Sequence, residues 1–118
     1  MICGLGVDLV EVSRIRRAMQ EERFLPRILT ATERAEVLSP ERVAGRWAAK
    51  EAAAKAVGTF LRWHDVEILN LPSGQPVARI RPGAFDMRGF ALHISISHVK
   101  EHAVAVAVLE RTEDSSRA

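Results

Sequence analysis

The run Arg46-Trp47-Ala48-Ala49-Lys50-Glu51-Ala52-Ala53-Ala54-Lys55-Ala56-Val57-Gly58-Thr59 constrains this chain more than any other. It reads as an alanine-rich helix stopped by a glycine, because alanine is the best helix former and glycine takes the left-handed turn past a helix end. Small side chains let neighbouring groups come close to such a helix. Against that small-residue background stand three cations and one carboxylate, Glu51. Glu51 and Lys55 lie one turn apart on the same side, and by themselves they are an ordinary solvated Glu–Lys pair.

Two other segments give the helix chemical meaning. The N-terminus, Met1-Ile2-Cys3-Gly4-Leu5-Gly6-Val7-Asp8, is an apolar run with alternate glycines leading to a lone carboxylate. Glycines in a strand allow close backbone approach, and a carboxylate at a strand end suits a hard cation or a hydroxyl. Gly4-x-Gly6 lacks both the third glycine and the immediate helix of a dinucleotide-binding turn, which excludes that reading. The segment Leu92-His93-Ile94-Ser95-Ile96-Ser97-His98 alternates as a strand, and a second apolar strand follows from Ala103.

With 118 residues the chain is expected to form one domain over residues 1–111, followed by a polar, mobile tail at 112–118. No apolar run reaches the roughly 20 residues of a membrane span, and no secretory signal is evident. A lone cysteine, Cys3, excludes an internal disulfide and fits a reducing cytoplasm. One cysteine and four scattered histidines offer no zinc-finger spacing. A net charge of +2, with no tyrosine and no aromatics interleaved among the arginines, argues against nucleic acid. Arg14, Arg16, Arg17, Arg23 and Arg27 nonetheless form a local basic face suited to an acidic partner or phosphates.

The pattern predicts a strand over residues 1–7 and a helix over 13–21 capped by Ser13. A short helical turn or loop follows at 24–29, then a helix opened by the Thr30/Glu33 capping box and running to Leu38. The long helix starts at the Ser39-Pro40 cap and ends at Gly58. Residues 64–71 and 77–81 read as a hairpin around Pro72-Ser73-Gly74-Gln75, then a loop or single turn over 83–88, with final strands at 91–97 and 103–110. The fold class is α+β, a mostly antiparallel sheet packed on a long central helix. Ile94, Ile96, Val104, Val106 and Val108 are expected to need a cover beyond the helices, for which self-association is the natural solution.

Four blocks, in order, resemble the holo-acyl-carrier-protein synthases, small bacterial phosphopantetheinyl transferases. They are Gly4-Leu5-Gly6-Val7-Asp8 through Arg14-Ile15; Phe24-x-x-Arg27-Ile28-Leu29-Thr30 with Glu33; Arg46-x-Ala48-Ala49-Lys50-Glu51-Ala52-x-x-Lys55-Ala56-x-Gly58-Thr59; and Ser95-x-Ser97-His98. A weaker fifth is Gly74-x-Pro76. The resemblance implies transfer of the 4'-phosphopantetheine arm from coenzyme A to acyl carrier protein in fatty-acid biosynthesis, with Mg2+ held by Asp8 and Glu51. It implies Asp8, Glu51 and Lys55 as catalytic residues, and Arg46, Lys50, Lys55, Gly58, Ser97 and His98 as cofactor-binding residues. Arg14, Arg23 and Arg27 would dock the carrier, and the assembly would be a cytoplasmic homotrimer with shared clefts. The alternative is a non-catalytic trimeric module docking an acidic protein through its arginine face, which needs none of Asp8, Glu51 or Lys55. One departure is that Gly58-Thr59 runs straight into Phe60-Leu61-Arg62-Trp63, without the glycine-rich insertion of many relatives.

Overall fold

The computed structural model describes residues 1–36 and 39–112. The expected helix end at Leu38 and the tail from residue 113 onward lie outside the described residues. The chain runs β1 (Ile2–Glu11), α1 (Val12–Ala18), α2 (Phe24–Ile28), α3 (Ala31–Glu36), α4 (Pro40–Val57), β2 (Val66–Asn70), β3 (Pro76–Ile80), β4 (Phe90–His98) and β5 (His102–Arg111). A 3-10 turn, Trp63–Asp65, precedes β2, so His64 does not belong to the hairpin strand as expected.

β1 is longer than its sequence pattern suggests. It pairs antiparallel with β5 from Ile2↔Glu110 to Glu11↔His102, which carries the strand past the expected end at Val7 and past Asp8 to Glu11. Asp8 therefore sits inside a strand, opposite Ala105, and not at a strand end. α1 begins at Val12, whose amide donates to Glu101 O at 2.9 Å, and Ser13 does not cap it. Long-range pairing overrides the local cap signal here.

The strands form two antiparallel sheets where one was expected: a three-stranded sheet in the order β1-β5-β4, and the separate hairpin β2-β3. α4 lies across one face of the larger sheet. Gly4 and Gly6 of β1 meet it directly, and a Cβ on either would strike the carbonyl oxygen of Ala56 or Ala52. From β5, Ala103, Ala105 and Ala107 are buried against the same helix. The alanine content of α4 is thus the other half of a seam between small residues, and close backbone packing replaces large interdigitating side chains.

Register sorts the remaining apolar residues. Ile94 and Ile96 pair with Ala107 and Ala105 and pack against the core on the α4 side. The expectation that they need a cover beyond the helices, together with Val104, Val106 and Val108, is thus corrected for the two isoleucines. Only the valines lie on the uncovered face, beside Leu5, Val7 and Leu9 of β1, since side chains alternate along a strand. Leu5 and Leu9 are 67% and 66% exposed, so the β1–β5 part of this face is apolar and bare in the isolated chain.

Candidate functional site

The seam between β1 and α4 positions the first cluster. Lys55, in the last turn of α4, reaches across to β1 and donates to Val7 O at 2.9 Å. Its ammonium lies 3.5 Å from Asp8 Oδ1, while no ion pair joins it to Glu51. The simple Glu51–Lys55 pair that helical spacing allows is therefore not what forms. The half-buried Glu51 carboxylate has no hydrogen-bond partner among the described residues. Asp8 and Lys55 thus meet across the seam, Asp8 mostly shielded and Lys55 half-open to solvent, and Glu51 lies one turn before Lys55 on the same side of α4.

A second cluster lies further toward the N-terminal half of α4. Arg42 and Arg46 line a cleft of about 270 Å³, closed by His98 at the end of β4 and by Asn70, Gly74 and Pro76 of the hairpin. Arg46 is buried, yet its Nε has no partner. Burial lowers the affinity of its guanidinium for a proton, opposed by the nearby Glu33 and Glu36 carboxylates. An unpaired buried donor beside an open cleft is a ready anchor for an anion. Arg42 and Asn70 were not singled out from the sequence. The Gly74-x-Pro76 turn was the one signal that the hairpin tip takes part.

Lys50 is not part of either cluster, which corrects its assignment to the cofactor. Its ammonium is buried and donates to Glu33 Oε1 at 2.7 Å, Ile28 O at 2.7 Å and Trp63 O at 2.9 Å. All three donors are spent, so none remains for a phosphate. Burial pulls its proton affinity down, while the bond to Glu33 offsets part of that. Glu33 is fully buried and accepts also from the Thr30 amide (2.8 Å) and the Ile68 amide (2.9 Å). The pair ties α4 to the α2–α3 junction and to β2.

Gly58 has φ +78° and donates to Ala54 O, so it serves as the left-handed stop of α4 and lies outside the cleft. Ser97 pairs with Val104 and faces the other side of the sheet from His98, so within one chain it is separated from the cleft. Arg14 and Arg27 are exposed on α1 and α2, and Arg23 is exposed just before α2.

Residues 4–107 match the 4'-phosphopantetheinyl transferase superfamily. The chain belongs to this family. A holo-[acyl-carrier-protein] synthase of Geobacillus sp. (strain WCH70) is 42% identical over 122 residues, covering 94% of this chain and 98% of its own. The crystal structure of a holo-(acyl-carrier-protein) synthase from Bacillus anthracis, in complex with CoA (3',5'-ADP), superimposes with a TM-score of 0.82 at 39% identity, covering 95% of this chain and 99% of that one. The synthase from Neisseria meningitidis gives 0.84 at 33% identity over 94% and 100% of the two chains. As a phosphopantetheinyl transferase, the chain draws on one helix at both places: α4 supplies Lys55 to the seam and Arg42 and Arg46 to the cleft. Among its described residues no helix is long and apolar enough to cross a membrane.

Proposed function

We propose that this chain transfers 4'-phosphopantetheine from coenzyme A to a serine hydroxyl of apo acyl carrier protein. The hydroxyl oxygen forms the new bond to phosphorus, the pyrophosphate bond breaks, and adenosine 3',5'-bisphosphate leaves. The observation that carries this reading is the contact of Lys55 with Asp8 across the β1–α4 seam, with Glu51 one turn before Lys55 on the helix that also lines the Arg42/Arg46 cleft. Docking alone would need no such cluster.

Phosphoryl transfer depends on positioning and on stabilising charge spread over the equatorial oxygens. Lys55 supplies one cation toward the bridging phosphates. Its ammonium is fixed by Val7 O and Asp8 Oδ1 and keeps one donor free on its open side. Arg46 and Arg42, with His98, offer the cleft to the phosphate of the nucleotide half. Glu51, free of other partners, accepts the serine proton.

The donor set fits a hard divalent cation. Asp8 and Glu51 are two carboxylates from facing elements, and magnesium commonly takes one or two while substrate phosphates and waters fill its other positions. When bound, Mg2+ would neutralise pyrophosphate charge. Arg14, Arg23 and Arg27 face an acidic carrier, which speeds encounter and sets register. The bare sheet face of Leu5, Val7, Leu9, Val104, Val106 and Val108 is covered in a homotrimer. The single cysteine favours a cytoplasmic location, alongside the carrier of fatty-acid synthesis.

The test is to incubate the protein with apo carrier, coenzyme A and Mg2+ and follow the carrier by mass spectrometry. Addition of the phosphopantetheine mass is expected, and its loss in Asp8→Ala and Glu51→Ala variants that still fold. An unmodified carrier with wild-type protein, or wild-type rates in either variant, would refute the assignment.

A further inference from the structure

We infer that Trp47 is a positioning residue for carrier docking: its indole face holds the guanidinium of Arg14 in place without neutralising it. This inference rests on the reading of α1 as the carrier surface. The guanidinium carbon of Arg14 lies 5.7 Å from the Trp47 ring centroid, within cation–π range. Trp47 itself contacts two further rings, Phe24 at 5.9 Å with planes 22° apart and Trp63 at 4.4 Å. The platform is thus shared by three elements: α2, α4 and the 3-10 turn each contribute one ring.

The contrast with Arg16, two residues on, shows what the ring achieves. Arg16 is held by Glu41 at 3.3 Å, a partner that orders the side chain but cancels its charge. Arg14 makes no ion pair among the described residues, so its charge and its N–H donors stay available to an incoming carboxylate. An aromatic face orders a cation while leaving it attractive to an acidic protein. Trp47 also precedes Glu51 by one helical turn, so the ring that holds the docking cation and the proposed base project from the same side of α4. A carrier gripped at Arg14 is thereby registered against the chemistry.

The test measures KM for carrier and for coenzyme A separately in Trp47→Leu and Trp47→Phe, each alone and combined with Arg14→Ala. An exposed cation–π contact predicts a rise in carrier KM of about two- to fivefold for Trp47→Leu, with rescue by Trp47→Phe and an unchanged KM for coenzyme A. In the Arg14→Ala background the leucine substitution is expected to add little, because the cation it positions is gone. Trp47→Met, which fills more of the space, takes the place of the leucine variant if that chain does not fold. An equal rise in both backgrounds would overturn the inference by showing that the ring acts directly on the carrier or through the fold alone. An unchanged carrier KM, or a parallel rise in KM for coenzyme A, would do the same while leaving the transfer reaction standing. If the wild-type protein modifies no carrier, the functional reading falls first and this inference falls with it.

Discussion

Replacing Gly6 by alanine tests whether the seam sets the site. The added methyl has no free volume: it would be driven into the carbonyl oxygen of Ala52, with the Ala56 amide nitrogen 3.0 Å away. Both obstacles are backbone of α4, so no rotamer change relieves the clash. The helix must retreat by about 1 Å or more, a shift of the size that costs about 100-fold in rate when it separates catalytic groups. Asp8 stays on β1 while Glu51 and Lys55 move with α4, so the loss is expected in the chemical step. Overpacking itself should cost only about 1–3 kcal/mol of stability. The comparison is Ile68→Val, a buried substitution on β2 worth about 0.5–1.5 kcal/mol that leaves the seam intact. Carrier modification and urea unfolding are measured at matched protein concentration for both. Gly6→Ala is expected to lose far more activity than its stability loss explains. Equal activity in the two variants, or a Gly6→Ala chain as stable and active as wild type, would refute the reasoning.

Lys50→Met leaves the Glu33 carboxylate buried without its cation and should cost about 3–5 kcal/mol by urea unfolding, whereas the double change Glu33→Leu/Lys50→Met should recover much of that loss. Asp65 offers a pH test. Burial raises its carboxyl, but the Arg62 amide and then the Arg81 guanidinium outweigh that and hold it below its ordinary 3.8. Its bonds therefore stabilise fully above that value and are lost as pH falls through the lower folded value, so Asp65→Asn should be less stable at pH 7 and converge on wild type in strong acid. Sedimentation is expected near three times the 13.1 kDa chain mass, and Leu5→Glu on the bare sheet face should shift it toward the monomer. A wild-type monomer at micromolar concentration would remove the trimer.

What could be read from the sequence was mostly local. The Thr30/Glu33 capping box forms as its spacing indicates, with Glu33 Oε1 accepting from the Thr30 amide. Ser39 Oγ accepts from the Arg42 amide, and Gly58 ends α4 in the left-handed region. Asp8, Glu51 and Lys55 are singled out by type and motif, but their arrangement is not, because the partner of Lys55 lies on β1, far away in sequence. For the same reason Lys50 was misread: its carboxylate comes from α3 and its two carbonyls from α2 and the turn before β2. A lysine's spacing on its own helix says nothing about which distant acceptors will enclose it. The length of β1 and the splitting of the strands into two sheets depend likewise on pairing partners that local periodicity does not name.

The division of labour among the charges of α4 follows from its geometry. Successive residues point about 100° apart, so the neighbours Lys50 and Glu51 face different surroundings. Lys50 turns into the α2–α3–β2 junction and becomes a structural anchor, while Glu51 turns toward the edge that Lys55 and Asp8 occupy. The helix is held on one side by the buried Glu33–Lys50 pair and on another by the Gly4/Gly6 seam. Side chains projecting from a rod clamped in this way keep their spacing, which is what a site built on positioning requires. Weakening either anchor should therefore reach the chemistry, the seam more sharply because it alone sets Asp8 against Glu51 and Lys55.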